Sequence, residues 1–181
     1  VLVSHRWLLW LHPLDWVGVP APLSLPICLT LWLACGLAGG WLVQLWCQLV
    51  RWADPERWST ALGAACLWGL AEVLLARGPL FWIGLGSSAL PGDPALAGLA
   101  SIGGAGLVAA VQVLLGWCLW RLTRASGRRL GWLLLMIALV LTSHLLGLAA
   151  LAPVKAETGA NALAAADQTG TRLVEIGRAH V

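Results

Sequence analysis

Between Trp16 and Val50 the chain has no charged side chain at all. A helix rises 1.5 Å per residue, so about 20 mostly apolar residues cross the roughly 30 Å of bilayer hydrocarbon. The stretch exceeds that length, and it is not alone. Of the 181 residues 60% are hydrophobic and 10% charged, whereas a soluble domain carries about a quarter charged. Hydrocarbon is therefore the main solvent, and in hydrocarbon a chain without barrel-strand alternation closes its backbone hydrogen bonds as helices. The expected fold class is all-α: a polytopic membrane helix bundle of about four complete transmembrane helices plus the end of an earlier one.

Punctuation sets the spans. Pro20, Pro22 and Pro26 mark a loop before a first span over 26–50, and Arg51 ends it. Within that span Gly36 and Gly40 have the G-x-x-x-G spacing that lets a neighbouring helix approach. A polar turn at 51–57 leads to a second span, 58–77. Residues 78–94 are apolar but interrupted by Pro79, Gly84, Gly86, Pro91 and Gly92. Unpaired amides cost several kcal/mol each in lipid, so this segment is expected to be re-entrant, interfacial or covered by protein. A third span follows over 95–120, opened by Gly98, Gly103, Gly104 and Gly106, which suit close packing. The fourth covers 130–152, after which Pro153 and a polar stretch leave the membrane. Residues 1–16 read as the end of an earlier span, with Trp7, Trp10 and Trp16 in belt positions.

Arginines fix the expected orientation, because short Lys/Arg-rich loops stay in the cytoplasm. The turn at 51–57 and the cluster Arg121, Arg124, Arg128 and Arg129 are two spans apart and fall on one side. The loops at 12–24 and 78–94 and the tail after Ala152 then face outward. The basic residues show no aromatic-interleaved polar face, so no nucleic acid is expected. Cys28, Cys35, Cys47, Cys66 and Cys118 all lie in apolar stretches without a C-x-x-C pair, which suits buried small hydrophobes better than a metal site.

Few residues invite a functional reading. Glu72 is the only carboxylate within an expected span, where ionisable groups are costly; a substrate-path role competes with plain satisfaction by a neighbour such as Arg77. Trp82, with Phe81, could pack on an acyl chain, or belong to an ordinary aromatic belt among thirteen tryptophans. His144 beside Ser143 is a proton-relay candidate, though an isolated histidine more often bonds within its own helix. Gly84, Gly86 and Gly98 suit backbone geometry more than ligand contact.

A family resemblance runs through these landmarks. Leu67-Trp68-Gly69-Leu70-Ala71-Glu72, then Gly78-Pro79-Leu80-Phe81-Trp82-Ile83-Gly84, then Leu96-Ala97-Gly98-Leu99-Ala100 with Gly103, Gly104 and Gly106, resemble bacterial apolipoprotein N-acyltransferases. The loop His12-Pro13-Leu14-Asp15-Trp16-Val17-Gly18-Val19-Pro20 is similar to their cyanobacterial members. The resemblance reaches to about residue 151 and lies in the run of matches, since no single motif is a catalytic signature. It implies an eight-span enzyme of the bacterial inner membrane with a nitrilase-like domain on the outer face between the seventh and eighth spans. Such an enzyme moves an acyl chain from phospholipid to the α-amino group of a diacylglyceryl-cysteine, through a thioester on cysteine. The implied partners are those two lipids, the implied state is a monomer, and no cofactor or metal is implied.

By the same resemblance the chain runs from the end of the third span through the seventh, with 153–174 an outer-face linker and Thr171 to Val174 starting the nitrilase-like domain. The Glu, Lys and Cys triad would lie beyond it, and neither the five cysteines nor Lys155 matches a triad position, so the chain alone is expected to be inactive. The chain starts at Val1 and is expected to be a fragment. Its last residues, Glu175-Ile176-Gly177-Arg178-Ala179-His180-Val181, are those a common sequencing adapter encodes in frame, and the expectation is an artefact at 175–181. The alternative function is a membrane subunit of a transporter, with Glu72, residues 78–94 and His144 lining a path; that class would show more intramembrane polar groups and an internal repeat.

Overall fold

The computed structural model describes the backbone of residues 2–78, 83–90, 92–125 and 127–178, and side chains as far as Pro153. All regular elements among these are helical. Four helices are long and apolar enough to cross a bilayer: α1 (Ala21–Trp52), α2 (Trp58–Ala76), α4 (Ala100–Arg124) and the first half of α5 (Arg129–Arg178). A one-turn helix, α3 (Pro94–Ala97), precedes α4, and 3-10 turns form at Arg6–Leu11, Asp15–Val17 and Gly86–Ala89. The spanning helices keep broad apolar faces outward; Leu37 and Trp41 of α1 are each 67% exposed. Such surface needs lipid or further protein around it.

The first span starts five residues before the expected position. Pro22 stands in its first turn, where the missing N–H has no intrahelical partner to lose. Pro26 sits inside the helix at the loss of a single ladder bond. The tight turn between α1 and α2 is built on Asp54, which holds φ +63°. Its carboxylate accepts from the Glu56 amide and the Arg57 guanidinium, both at 3.1 Å.

The third expected span is not one helix. Gly104 has φ +67° and Gly103 φ −138°, so α4 is broken near its start and the irregular segment extends ten residues further than the sequence suggested. Asp93 caps α3 through the Leu96 amide at 2.9 Å, and Pro94 opens it. This segment contributes most of the small core, in which Ala89, Leu96, Leu99 and Val108 pack together. Its described part is only partly covered by protein: Gly86, Ala89, Leu96, Gly98 and Leu99 are buried, while Leu90 and Ile102 are 63% and 60% exposed.

Glycine pairs set the helix crossings. A Cβ on Gly106 would lie 2.7 Å from the Gly69 carbonyl oxygen, and one on Gly98 would lie 2.7 Å from the Gly147 carbonyl carbon. Backbone therefore touches backbone where α2 meets α4 and where α5 meets Gly98, just beyond α3. Among the described residues the Gly36 and Gly40 pair seats no helix: Gly36 faces the Leu2 side chain and Gly40 has nothing within 4 Å. At the far end, α5 runs on through Pro153 to Arg178, so the backbone of 153–174 is helical. The alanine-rich composition of 156–166 explains the continuation. Cys28, Cys35 and Cys118 are buried, but Cys47 and Cys66 are exposed on helix faces, contrary to a uniform core role.

Candidate functional site

Glu72 is buried near the end of α2, 4% exposed. One turn earlier on the same face, the Trp68 indole donates to its Oε1 at 2.9 Å. The chain then returns across the carboxylate, and the amides of Leu85 and Gly86 donate to Oε1 and Oε2, the latter at 2.9 Å. Gly84 makes the approach possible, since a Cβ there would collide with the carboxyl group. Gly86 does the same against the Ala105 carbonyl of α4. Two backbone amides and an indole thus replace water around a carboxylate whose burial would otherwise be prohibitive.

This coordination decides what Glu72 can do. Both oxygens are already engaged, so the group is an anchor that ties residues 83–86 to α2. A cavity of about 410 Å³ opens beside it, lined by Val43 of α1, Trp68, Glu72, Ile83 and Leu85. Arg77 is exposed at the C-terminal cap of α2 and pairs with no carboxylate among the described residues; Glu72 is satisfied by other groups. Phe81 and Trp82 lie outside the described residues. No cluster of His, Cys, Asp and Glu suited to a metal occurs among the described residues.

His144 is held by more than its own helix. Its Nδ1 lies 2.7 Å from the Val140 carbonyl oxygen, while Nε2 lies 2.9 Å from Asp93 Oδ2. Both ring nitrogens therefore face oxygen atoms of other residues. Asp93 is held below the ordinary carboxylate range, first by the Leu96 amide and then by His144, against an opposing effect of burial. The pair latches α3 to α5. Sequence reasoning missed it because the partners are 51 positions apart, one of them in the broken segment.

The opposite end of the bundle gathers the arginine-bearing loops. Arg121 pairs with Glu56 at 2.9 Å, and the Trp117 indole donates to the Pro55 carbonyl at 2.7 Å. Trp58, Trp117 and Trp132 pack with ring centroids 4.6 to 5.6 Å apart, and the Arg121 guanidinium lies 4.8 Å from the Trp132 centroid. The 51–57 turn and the 121–129 cluster thus share one end, as the arginine pattern required. The aromatic box itself has only a weak sequence signal, tryptophans beside arginines at span ends.

No family model and no solved structure matches the chain. Curated relatives do. It is 58% identical over 130 residues to an apolipoprotein N-acyltransferase of Prochlorococcus marinus (strain MIT 9313), covering 67% of this chain and 26% of that protein. The counterpart from Parasynechococcus marenigrum (strain WH8102) is 48% identical over 157 residues, 84% of this chain and 33% of the relative. One from Nostoc sp. (strain PCC 7120 / SAG 25.82 / UTEX 2576) is 31% identical over 149 residues, 80% and 30% of the two chains. The chain spans about a third or less of the length of the curated relatives it matches. Over the part of those proteins that it spans, this four-span chain belongs to the apolipoprotein N-acyltransferase family.

Proposed function

We propose that the chain is the membrane portion of an apolipoprotein N-acyltransferase of the bacterial inner membrane, where it anchors the enzyme and shapes the access of its lipid substrates. The observation that carries this reading is the 48% identity over 84% of the chain to a protein of that name. The donor is a phospholipid and the acceptor the N-terminal diacylglyceryl-cysteine of a lipoprotein, both confined to the bilayer. A spanning bundle that holds both beside a catalytic group converts a bimolecular encounter into a positioned one, which is where much of the rate gain of such enzymes arises.

Glu72 serves here as a positioning residue. By fastening 85 and 86 to α2 it fixes the backbone that follows Phe81 and Trp82 in the sequence, the residues assigned to the acyl chain. Arg77, exposed at the same end, supplies a cation for a headgroup. The catalytic triad belongs to the nitrilase-like domain of the whole enzyme, so the 181 residues alone transfer no acyl chain, and a monomer suffices. The relatives matched all carry the acyltransferase name, and nothing in them favours a transporter.

The test is a chimera in which this chain replaces the matched segment of the Parasynechococcus marenigrum enzyme. Acyl transfer to a diacylated lipopeptide should persist at a tenth or more of the parental rate, about 1.4 kcal/mol of lost transition-state stabilisation at most. A chimera that inserts and folds but transfers nothing would reject the assignment.

A further inference from the structure

The arginine end of the bundle contains a feature that acyl transfer on the other face does not use. A cavity of about 530 Å³ lies between α1, α2 and α4, walled by Trp46, Val50, Ala64, Val113, Gly116 and Trp120. Its size falls within the range of specific small-molecule sites. Three of the polar groups around it are already committed: the Trp46 indole donates to the Ala64 carbonyl, the Trp117 indole to the Pro55 carbonyl, and the Thr60 hydroxyl to the Ala53 carbonyl. What faces the interior is apolar, so the occupant there is hydrocarbon.

The rim has the opposite character. Arg51 lines the mouth, and the Arg124 guanidinium sits 5.8 Å from the centroid of Trp120, which forms part of the wall. Arg57 and Arg121 have carboxylate partners in Asp54 and Glu56, whereas Arg51 and Arg124 have none among the described residues. An apolar protein helix laid over this opening would bury those guanidiniums uncompensated. An anionic headgroup pairs with them while its chain fills the cavity.

We propose that this cavity binds one anionic phospholipid of the leaflet at the arginine end, with an acyl chain between α1, α2 and α4 and the phosphate on Arg51 and Arg124. The lipid wedges α1, which touches α2 chiefly through Trp46, against the rest of the bundle. The site is separate from the Glu72 region and does not depend on the acyl-transfer reading.

The experiment titrates the purified chain, delipidated in neutral detergent, with phosphatidylglycerol carrying a brominated acyl chain, and follows quenching of tryptophan fluorescence. Phosphatidylcholine with the same brominated chain is the comparison. Saturable quenching at one phosphatidylglycerol per chain is expected. Arg51→Gln and Arg124→Gln should each weaken it about fivefold, the value of one cation near an anionic lipid, with phosphatidylcholine unaffected. Gly116→Leu should abolish the quenching; it fills the cavity without a clash, because a Cβ at Gly116 meets nothing within 4 Å. Helical circular dichroism confirms that each variant is folded.

Four results would overturn the proposal. Equal affinity for the two lipids, or full quenching in Gly116→Leu, removes the site as described. Loss in Gly116→Leu with no effect of either arginine change makes it a site for uncharged hydrocarbon. A particle of twice the chain mass that excludes the brominated lipid assigns the groove to a second copy.

Discussion

At the scale of single residues, the cost of a buried carboxylate is set by its donors. Glu72 accepts three hydrogen bonds, two of them from main-chain amides. Glu72→Ala leaves those amides unsatisfied, at about 1–3 kcal/mol each. Hydrogen exchange at Leu85 and Gly86 should therefore accelerate tenfold or more in this variant, and unchanged protection would show that the anchor is idle. Glu72→Gln keeps one acceptor oxygen, which can still serve Trp68 and Leu85, and turns an NH₂ donor toward the Gly86 amide, so it should fall between Ala and wild type. Asp93 offers a pH-dependent counterpart. Its carboxyl is held below the ordinary value of 3.8, so the folded chain binds that proton less readily than the unfolded one. The stabilisation is complete above the ordinary value and disappears as pH falls through the lowered one. The gap in thermal stability between wild type and Asp93→Asn should close over that acidic range.

At the scale of elements, packing is decided by glycines whose partners are far away in sequence. Gly69 and Gly106 let α2 and α4 meet backbone to backbone, and the obstructing atoms are carbonyls that cannot rotate aside. Gly106→Ala should thus lower stability by about 1–3 kcal/mol, as overpacking does. Gly63→Ala, on the same helix as Gly69 but with nothing within 4 Å, should be neutral or slightly stabilising. Thermal unfolding in detergent separates the two, and equal effects would refute the crossing. The contrast shows what the sequence can convey. The number of spans is legible, since hydrocarbon thickness dictates how many long apolar runs are needed and arginines separate them. The G-x-x-x-G spacing of Gly36 and Gly40 is a local pattern without a partner helix among the described residues, whereas Gly69 with Gly106 has no local pattern. Gly103 and Gly104 read equally well as packing glycines or as a break, and only the tertiary fit of 94–99 against α5 selects the break. For the same reason Glu72 stands out in the sequence while Leu85 and Gly86, which satisfy it, do not.

At the scale of the whole molecule, charge and packing agree on one axis. The arginine-bearing turns are joined by Arg121 with Glu56, and the Glu72 anchor and the Asp93 latch sit toward the other end. A bilayer imposes direction on such an object, because short arginine-rich loops are retained in the cytoplasm. Cysteine labelling with a membrane-impermeant maleimide in intact cells tests that direction. Gly127 and Gly92 are exposed loop positions at opposite ends, and a side chain at either meets nothing within 4 Å. Gly92→Cys should react from outside, while Gly127→Cys should react only after lysis. The native cysteines form a low background, since all five lie on the spanning helices, where no water supports a thiolate. The reverse pattern would place the Glu72 region in the cytoplasm, away from the leaflet in which the proposed lipoprotein substrate is held. The arginine end would then meet outer-leaflet lipid, so the same measurement also identifies the leaflet that supplies the anionic phospholipid bound there.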